Sequence, residues 1–439
     1  MNIRKSVKKV IPAGLFPAIE PYGHLGEAII LNTINGFPAR GLKVIGVTGT
    51  NGKTSTCYLI HRMLHQSGYK VGMMTTVAYG VGDDIRPQTY HMTSVPVPEL
   101  MKRLKWMKSQ GAEWLVMETT SQALAQNRVW GVPYSLAVMT NLTEDDSGWH
   151  KDFAAYRAAK VKLFELAARN KQGLRTGIVN AEDPSAEYFT GAVPNVITYG
   201  LRTGDFQASD VVALPTGSAF TAKYLDRELS IKVNLPGTFN IANALAAASA
   251  GIAVGLTDQQ IERGIAALEG VEGRMTTIDE GQDYSVIVDF AHTPDAFEKL
   301  FKDLKPVVAK TGKLIVMFGS AGRRDEAKRA VQGRLAGQYA DAVVVTEEDD
   351  RDIDGVEIMN QITAGAEEAG KVRDENLFLV HDRAEAINFT LKLAEPGDTV
   401  LLLGKGHEKT IERADGEHPW DEIGTARAAV KAKKSLPES

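Results

Sequence analysis

The sequence predicts an α/β protein with two mostly parallel sheets, the first carrying an antiparallel excursion. Three observations support this. Short apolar runs alternate with amphipathic helical stretches along the 439 residues; several of those runs end in polar residues; and residues 44–68 read strand, glycine loop, helix. The expected division is an arm over 1–42, a unit built around that glycine loop over 43–273 and a Rossmann-like unit over 274–439.

Taken in order, the arm MNIRKSVKKVIPAGLFPAIEPYGHL is basic and then apolar, but prolines break the apolar part and no clean cleavage site follows, so it makes a poor secretory signal. It reads as an ordinary packed arm, beside the alternative of a peripheral contact with a membrane or a lipid-linked substrate. Val44, Ile45 and Val47 form a buried strand. After the loop GTNGKT, the residues Cys57, Ile60, Met63 and Leu64 recur at helical spacing. EWLVME ends a strand at Glu118, and SLAVMTN ends another at Asn141. FAAYRAAKVKLFELAA is a helix whose apolar stripe is Phe153, Tyr156, Leu163, Phe164 and Ala167, with Lys160 inside it. Residues 195–235 show glycine-punctuated β alternation, the expected antiparallel excursion, and FNIANALAAASAGIA returns to helix. GVEGRM separates the halves. YSVIVDF, KLIVMFG, DAVVVTE, NLFLVHD and TVLLLGKG then form the second series.

Composition excludes several classes. Fifty basic against 55 acidic residues give no basic surplus for general nucleic-acid binding. One cysteine precludes an intramolecular disulfide or a cysteine-rich zinc site, and Cys57 lies on the apolar side of its helix. No apolar run reaches membrane-span length, so no stable membrane insertion is expected and the location predicted is cytoplasmic.

The loop VIGVTGTNGKTST suits a phosphate chain: glycines let backbone N–H groups curl around anionic oxygens, lysine neutralises them and a hydroxyl ligates Mg²⁺. Its first glycine is Gly49, which gives the short form G-x-x-G-K-T. Ligands of open parallel sheets sit beyond the carboxyl ends of the strands, where Glu118 stands; a solvated strand end is the alternative to a functional role for it. Lys160 has two readings. Its stem can pack while its ammonium reaches water; or desolvation favours a neutral amine that takes up CO₂, and the resulting carbamate offers two oxygens to a hard cation.

These residues together resemble the Mur ligases, the ATP-dependent amide-forming enzymes of peptidoglycan precursor synthesis. GTNGKT, METTSQALAQNRV, YRAAKVKLF, GTFNIANALAA, GRM, VDFAHTPDA, FGSAGRRDEAKR and LLLGKGHE follow the family's order over nearly all of residues 43–425, and the later motifs look like the branch that adds the third peptide residue. The resemblance implies ATP and Mg²⁺ as cofactors. It implies that Gly49, Thr50, Asn51, Gly52, Lys53, Thr54 and Ser55 cradle the phosphates and that Thr54 and Glu118 hold one Mg²⁺. A carbamylated Lys160, with Asp146 at a position where the family usually has histidine, would serve a second metal. Asn240, Asn243, Arg274, Asp289, His292 and Arg324 would bind nucleotide or organise its site; Lys53, Glu118, Lys160 and His292 form the catalytic set. Thr93 and Ser94 would meet the acceptor, a muropeptide or lipid-linked molecule, while Arg351, Lys405 and Glu408 would meet the incoming amino acid. The chemistry implied is attack of a substrate carboxylate on the γ-phosphoryl of ATP, then displacement of phosphate by an amine.

The sequence also departs from the family pattern. Gln122 replaces a family histidine, and only 42 residues precede the first strand, where this branch has about a hundred holding the uridine diphosphate. Where diaminopimelate-adding members have D-N-P-R, this chain has Glu348, Asp349, Asp350 and Arg351. Arg351 suits a distal carboxylate, the added carboxylates suit a basic amino acid such as lysine, and a solvated acidic loop is the remaining reading. Three function classes follow: a carboxylate–amine ligase, with a folylpolyglutamate-synthetase-like acceptor as its variant; a P-loop kinase or NTPase; and a degenerate ATP-binding module.

Overall fold

The computed structural model describes residues 16–88, 90, 92–143, 149–214 and 217–434. Strand pleating explains its centre. Ile45 and Val47 enter one core and Val44 the other, all fully buried, and a strand buried on both faces belongs inside a helix-covered parallel sheet. The strands of this first sheet are β1 (Lys43–Thr48), β2 (Val71–Met74), β3 (Ala78–Val81), β4 (Asp84–Pro87), β5 (Trp114–Glu118), β6 (Tyr134–Met139), β7 (Thr176–Asn180), β8 (Asn195–Gly200), β9 (Phe206–Leu214), β10 (Gly217–Tyr224) and β11 (Arg227–Val233). Among the described residues they lie in the order β11-β10-β9-β8-β7-β6-β1-β5-β2-β3-β4.

The strands from β9 to β2 in that order are parallel. Asn195–Gly200 therefore continues the parallel run, and the antiparallel excursion begins one strand later than the alternation suggested, in the β9–β10–β11 meander. The other edge carries a second antiparallel piece, β2–β3–β4, which sequence patterning missed because β3 and β4 have four residues each, too few to show a period.

The helices Lys53–Gln66 and Phe239–Val254 cover one face of this sheet through Cys57, Ile60, Met63 and Leu64 against Ala244, Leu245 and Ala248. Each large apolar side chain buried this way contributes roughly 1.5–3 kcal/mol. Val97–Ser109 and Phe153–Arg169 cover the other face through Leu100, Leu104, Leu163 and Phe164. Outside them lies the helix Phe16–Ile34, held where Asn32 Nδ2 donates to Trp130 O at 3.1 Å, with Ile30 and Ile34 left exposed. Among the described residues no helix is long and apolar enough to cross a membrane.

The second sheet comprises β12 (Thr276–Ile278), β13 (Ser285–Asp289), β14 (Leu314–Phe318), β15 (Ala342–Val345), β16 (Leu377–Leu379) and β17 (Thr399–Leu403), in the order β12-β13-β17-β14-β15-β16. All but the edge strand β12 run parallel. A hairpin of β18 (Thr410–Arg413) and β19 (Gly416–Pro419) follows. The α/β fold class read from the sequence matches this architecture. In each sheet the polar residues of interest follow the carboxyl ends of parallel strands, where such sheets leave room for ligands.

Candidate active site

The loop after β1 is shaped by two glycines. Gly49 has φ +147°, and a Cβ there would lie 1.9 Å from Thr140 Oγ1; Gly52 has φ +81°, and its Cβ would lie 2.3 Å from Asn243 Oδ1. Residues after β6 clamp the loop from below. Asn51 N donates to Asn141 Oδ1 (2.9 Å), while Asn141 Nδ2 (3.0 Å) and Thr140 Oγ1 (2.6 Å) donate to Asn51 O. Asn141 was visible as the end of a strand, but nothing in its local sequence marked it as the loop's brace. The helix Lys53–Gln66 starts on Gly52 with no side-chain cap, so its first amides and its positive dipole end suit an external anion.

Glu118, 2% exposed at the end of β5, accepts from Thr54 Oγ1 at 2.9 Å and from Thr76 N at 3.1 Å, with Lys53 Nζ 4.0 Å away. A hydroxyl and a carboxylate side by side are hard oxygen donors of the kind Mg²⁺ prefers. The residues present thus fit both a phosphate chain and a divalent cation. Ser55 is buried in the first helical turn. Asn240 and Asn243 stand behind the loop: Asn243 Nδ2 donates to Asn240 Oδ1 (2.9 Å), and Asn243 Oδ1 accepts from Thr56 Oγ1 (3.3 Å).

Lys160 is 2% exposed, which removes the snorkelling reading. Its Nζ donates to Gly49 O at 2.6 Å and lies 4.4 Å from the centre of the Tyr156 ring. The Tyr156 hydroxyl is in turn 3.2 Å from Thr50 Oγ1, and its ring meets His150 edge-on at 5.3 Å. Asp146 lies outside the described residues.

The second sheet faces this loop. Asn51 Nδ2 donates to Asp295 Oδ2 (2.7 Å), and Arg274 Nη2 reaches to 3.5 Å from Thr54 Oγ1 with its guanidinium over the Phe290 ring. Both carboxylate oxygens of Asp289 accept backbone N–H groups, from Met275 and Ala291; burial nevertheless raises its pKa, against the pull of Arg274. His292 Nδ1 donates to Phe290 O at 2.9 Å. His407, which the reading of GKGHE passed over, packs on Phe290; burial, with Arg274 and Lys409 adding to it, lowers its pKa to about 3 and keeps the ring neutral.

Lys405 is buried between two carboxylates, Asp349 Oδ1 at 2.8 Å and Glu408 Oε2 at 2.6 Å. Burial works to lower its pKa, but Glu408 and Asp349 raise it on balance, whereas burial raises that of Glu408. Arg351 Nε donates to Glu412 Oε2 (2.7 Å), and Nη1 donates to Gly322 O (2.5 Å). Arg329, at the end of the segment FGSAGRRDEAKR, is buried and donates to Gln361 Oε1 and Ala321 O.

A cavity of about 820 Å³ lies between the two sheets. From the first it is lined by Gly49, Lys53 and Lys160, and from the second by His292, Arg324, Arg351 and Glu408. Thr54 and Glu118 meet beneath it. Asn240, Asn243, Asp289 and Lys405 are outside its lining. Thr93 and Ser94 are also outside: Thr93 Oγ1 accepts from Thr76 Oγ1, and Ser94 Oγ accepts from Thr120 N and Thr120 Oγ1.

Comparison with known proteins agrees in family and in fold. Family models for the Mur ligase middle domain and for the Mur ligase glutamate ligase domain match residues 47–251 and 273–406. The UDP-N-acetylmuramyl-tripeptide synthetase of Roseiflexus sp. (strain RS-1) is 38% identical over 430 residues, covering 94% of this chain and 84% of its own. A solved UDP-N-acetylmuramoyl-L-alanyl-D-glutamate–2,6-diaminopimelate ligase superposes with TM-score 0.62 at 30% identity, covering 90% of this chain and 80% of its own. The Mycobacterium tuberculosis folylpolyglutamate synthase, at 16% identity and TM-score 0.70 over 94% of this chain and 96% of its own, shares the fold. The protein is thus an ATP-dependent ligase that forms amide bonds. The chain belongs to the Mur ligase family.

Proposed function

We propose that the enzyme joins the free carboxylate of a muropeptide acceptor of the UDP-N-acetylmuramoyl-dipeptide kind to the amino group of an incoming amino acid, splitting ATP to ADP and phosphate. One observation carries the reading: the cavity between the sheets, where the phosphate-loop residues Gly49 and Lys53 face the second sheet's His292, Arg324, Arg351 and Glu408. In this reading residues 43–273 hold the nucleotide and residues 274–439 present the amino acid.

The acceptor carboxylate and the γ-phosphoryl group are both anionic, so their approach has to be offset by fixed positive charge. Lys53 and the uncapped helix start at Gly52 supply it, and Arg274 adds to it from the second sheet. Thr54 and Glu118 would hold Mg²⁺, which when bound neutralises phosphate charge. The γ-phosphorus to bridging-oxygen bond breaks as the carboxylate oxygen bonds to phosphorus, giving an acyl phosphate and ADP. The amine nitrogen then adds to the carbonyl carbon, phosphate leaves with the former carboxylate oxygen, and the nitrogen loses a proton. Lys160, dry and beside Gly49 O, would as the neutral amine bond to CO₂ and release a proton, and the resulting carbamate would offer oxygens to a cation. The reading implies a cytoplasmic enzyme.

The test is phosphate release from ATP with UDP-N-acetylmuramoyl-L-alanyl-D-glutamate and a panel of amino acids, with products weighed by mass spectrometry. A ligase releases phosphate only with both partners present and yields an amide. Release that ignores the partners would point to an NTPase instead, and no release under any combination would leave a binding module.

A further inference from the structure

The helix Phe16–Ile34 is anchored on one side and bare on the other. Ala28 is fully buried in the core beneath it, and Asn32 Nδ2 donates both to Ala28 O (2.9 Å) and to Trp130 O (3.1 Å). The opposite side turns Tyr22, Ile30 and Ile34 outward, 73%, 58% and 75% exposed, with Ile29 beside them. Among the described residues Glu27 is the one charged side chain that this helix exposes, and it lies 3.5 Å from His24. A helix face that meets only water carries more charge than this. Next to the isoleucines around the helix, Leu31 and Asn35 border a groove of about 590 Å³, which Met101, Trp106, Lys102 and Lys105 close from the helix Val97–Ser109. That far bank is basic. Lys102 has Glu99 at 3.9 Å, Lys105 is exposed with no ion-pair partner among the described residues, and Lys108 donates to Arg40 O at 2.9 Å, which brings its charge beside that of Arg40. Residues 1–15, ahead of the helix in sequence, add Arg4, Lys5, Lys8 and Lys9 without an acid. In a chain of net charge −5 this is a local reversal of sign.

An apolar ridge flanked by lysines is the pattern of a helix that lies in the boundary between lipid head groups and acyl chains. We propose that this face docks the protein on an anionic bilayer, with Tyr22, Ile30 and Ile34 set into the boundary and Arg40, Lys102, Lys105 and Lys108 against the head-group phosphates. The helix is already folded and held by Asn32, so docking costs no ordering of the chain. A second copy of this chain is the poorer occupant. A two-fold contact presents the same patch from both sides and would set the lysines of one protomer against those of the other, whereas lipid phosphate answers their charge. Contact of this kind is peripheral, in keeping with the absence of a membrane-crossing helix among the described residues. It is also separate from the chemistry, because none of these residues lines the cavity between the sheets.

The experiment sediments the full chain with vesicles of phosphatidylcholine alone and of phosphatidylcholine and phosphatidylglycerol in equal parts, at about 0.15 M salt. The wild type should pellet with the anionic vesicles and stay in solution with the neutral ones, and raising the salt should release it. Lys102→Gln/Lys105→Gln should weaken the partition by about tenfold. Ile30→Ser/Ile34→Ser, which leaves the charge unchanged, should weaken it by about tenfold or more. Both variants change exposed side chains, so melting temperatures and phosphate release with soluble substrates should match the wild type. The binding readout needs no turnover and stands apart from the ligase reading. Failure of the wild type to pellet with anionic vesicles, or pelleting that neither double variant weakens, overturns the proposal. So does a dimer in sedimentation velocity that Ile30→Ser/Ile34→Ser splits, since a second copy would then cover this face.

Discussion

Arg383 opens the helix Arg383–Leu393 and is fully buried, as is its partner Glu422. Its Nε and Nη2 donate to Glu422 at 2.8 and 2.7 Å, Nη1 donates to Glu347 O at 2.9 Å, and Nη2 donates also to Leu403 O at 2.7 Å. The guanidinium therefore ties the ends of β15 and β17 together under the acidic wall of the cavity. Replacement by methionine roughly conserves volume but leaves the Glu422 carboxylate buried with Trp420 Nε1 as its remaining side-chain donor. Breaking one side of such a pair costs about 3–5 kcal/mol, whereas replacing both sides with apolar residues is often neutral. Arg383→Met is thus expected to lower unfolding stability by about 3–5 kcal/mol, and the double variant Arg383→Met/Glu422→Leu should recover most of it. Urea unfolding followed by Trp420 emission, in a chain whose four other tryptophans are phenylalanine, reads the second half of the molecule directly. The double variant should still lose kcat/KM for the amino acid, because the two strand ends are no longer tied. A loss in Arg383→Met below about 1 kcal/mol, or a double variant no better than the single one, would refute the reasoning.

Four further outcomes follow. Lys160→Ala should lower phosphate release by about 100-fold or more, with partial rescue by a short carboxylate; wild-type turnover in that variant would discredit the carbamate. Asn141→Ala removes two hydrogen bonds to Asn51, worth roughly 1–1.5 kcal/mol together, and should raise KM for ATP about tenfold in a nucleotide titration. His61, whose pKa burial lowers to about 4, and His407, at about 3, are both held below the ordinary value of 6.5. As pH falls below 6.5 the unfolded chain takes up these protons first, so each should cost about 1 kcal/mol of stability between pH 6.5 and 5.5, and His61→Gln should remove its share of that slope in unfolding measured at both pH values. Gly52→Ala, facing Asn243 Oδ1 at 2.3 Å from a left-handed backbone, should abolish nucleotide binding by calorimetry.

What the sequence made legible is what lies close together along the chain. The phosphate loop announces itself in six residues, and the lysine in an apolar helical stripe betrays Lys160. Glu118 is findable because a strand pattern ends on it. Side-chain pairing is another matter. That Arg351 is answered by Glu412, 61 residues on, or that Asn51 is braced by Asn141, 90 residues on, depends on which strands neighbour one another, and no local period encodes that. Arg329 stands in a charged run, and its enclosure by Gln361 and the carbonyl of Ala321 arises in space and not from its neighbours in sequence. The four-residue strands β3 and β4 fell below the length at which alternation can register.

The Asn51–Asp295 hydrogen bond joins positions 244 residues apart across the two halves, which the chain itself connects at Val271–Met275. Beside that covalent strap the halves share a latch in the Asn51–Asp295 bond and further hydrogen bonds from Thr238 to Asp303. Because the latch is carried by the phosphate loop itself, occupancy of that loop and the grip of one half on the other are read from the same asparagine.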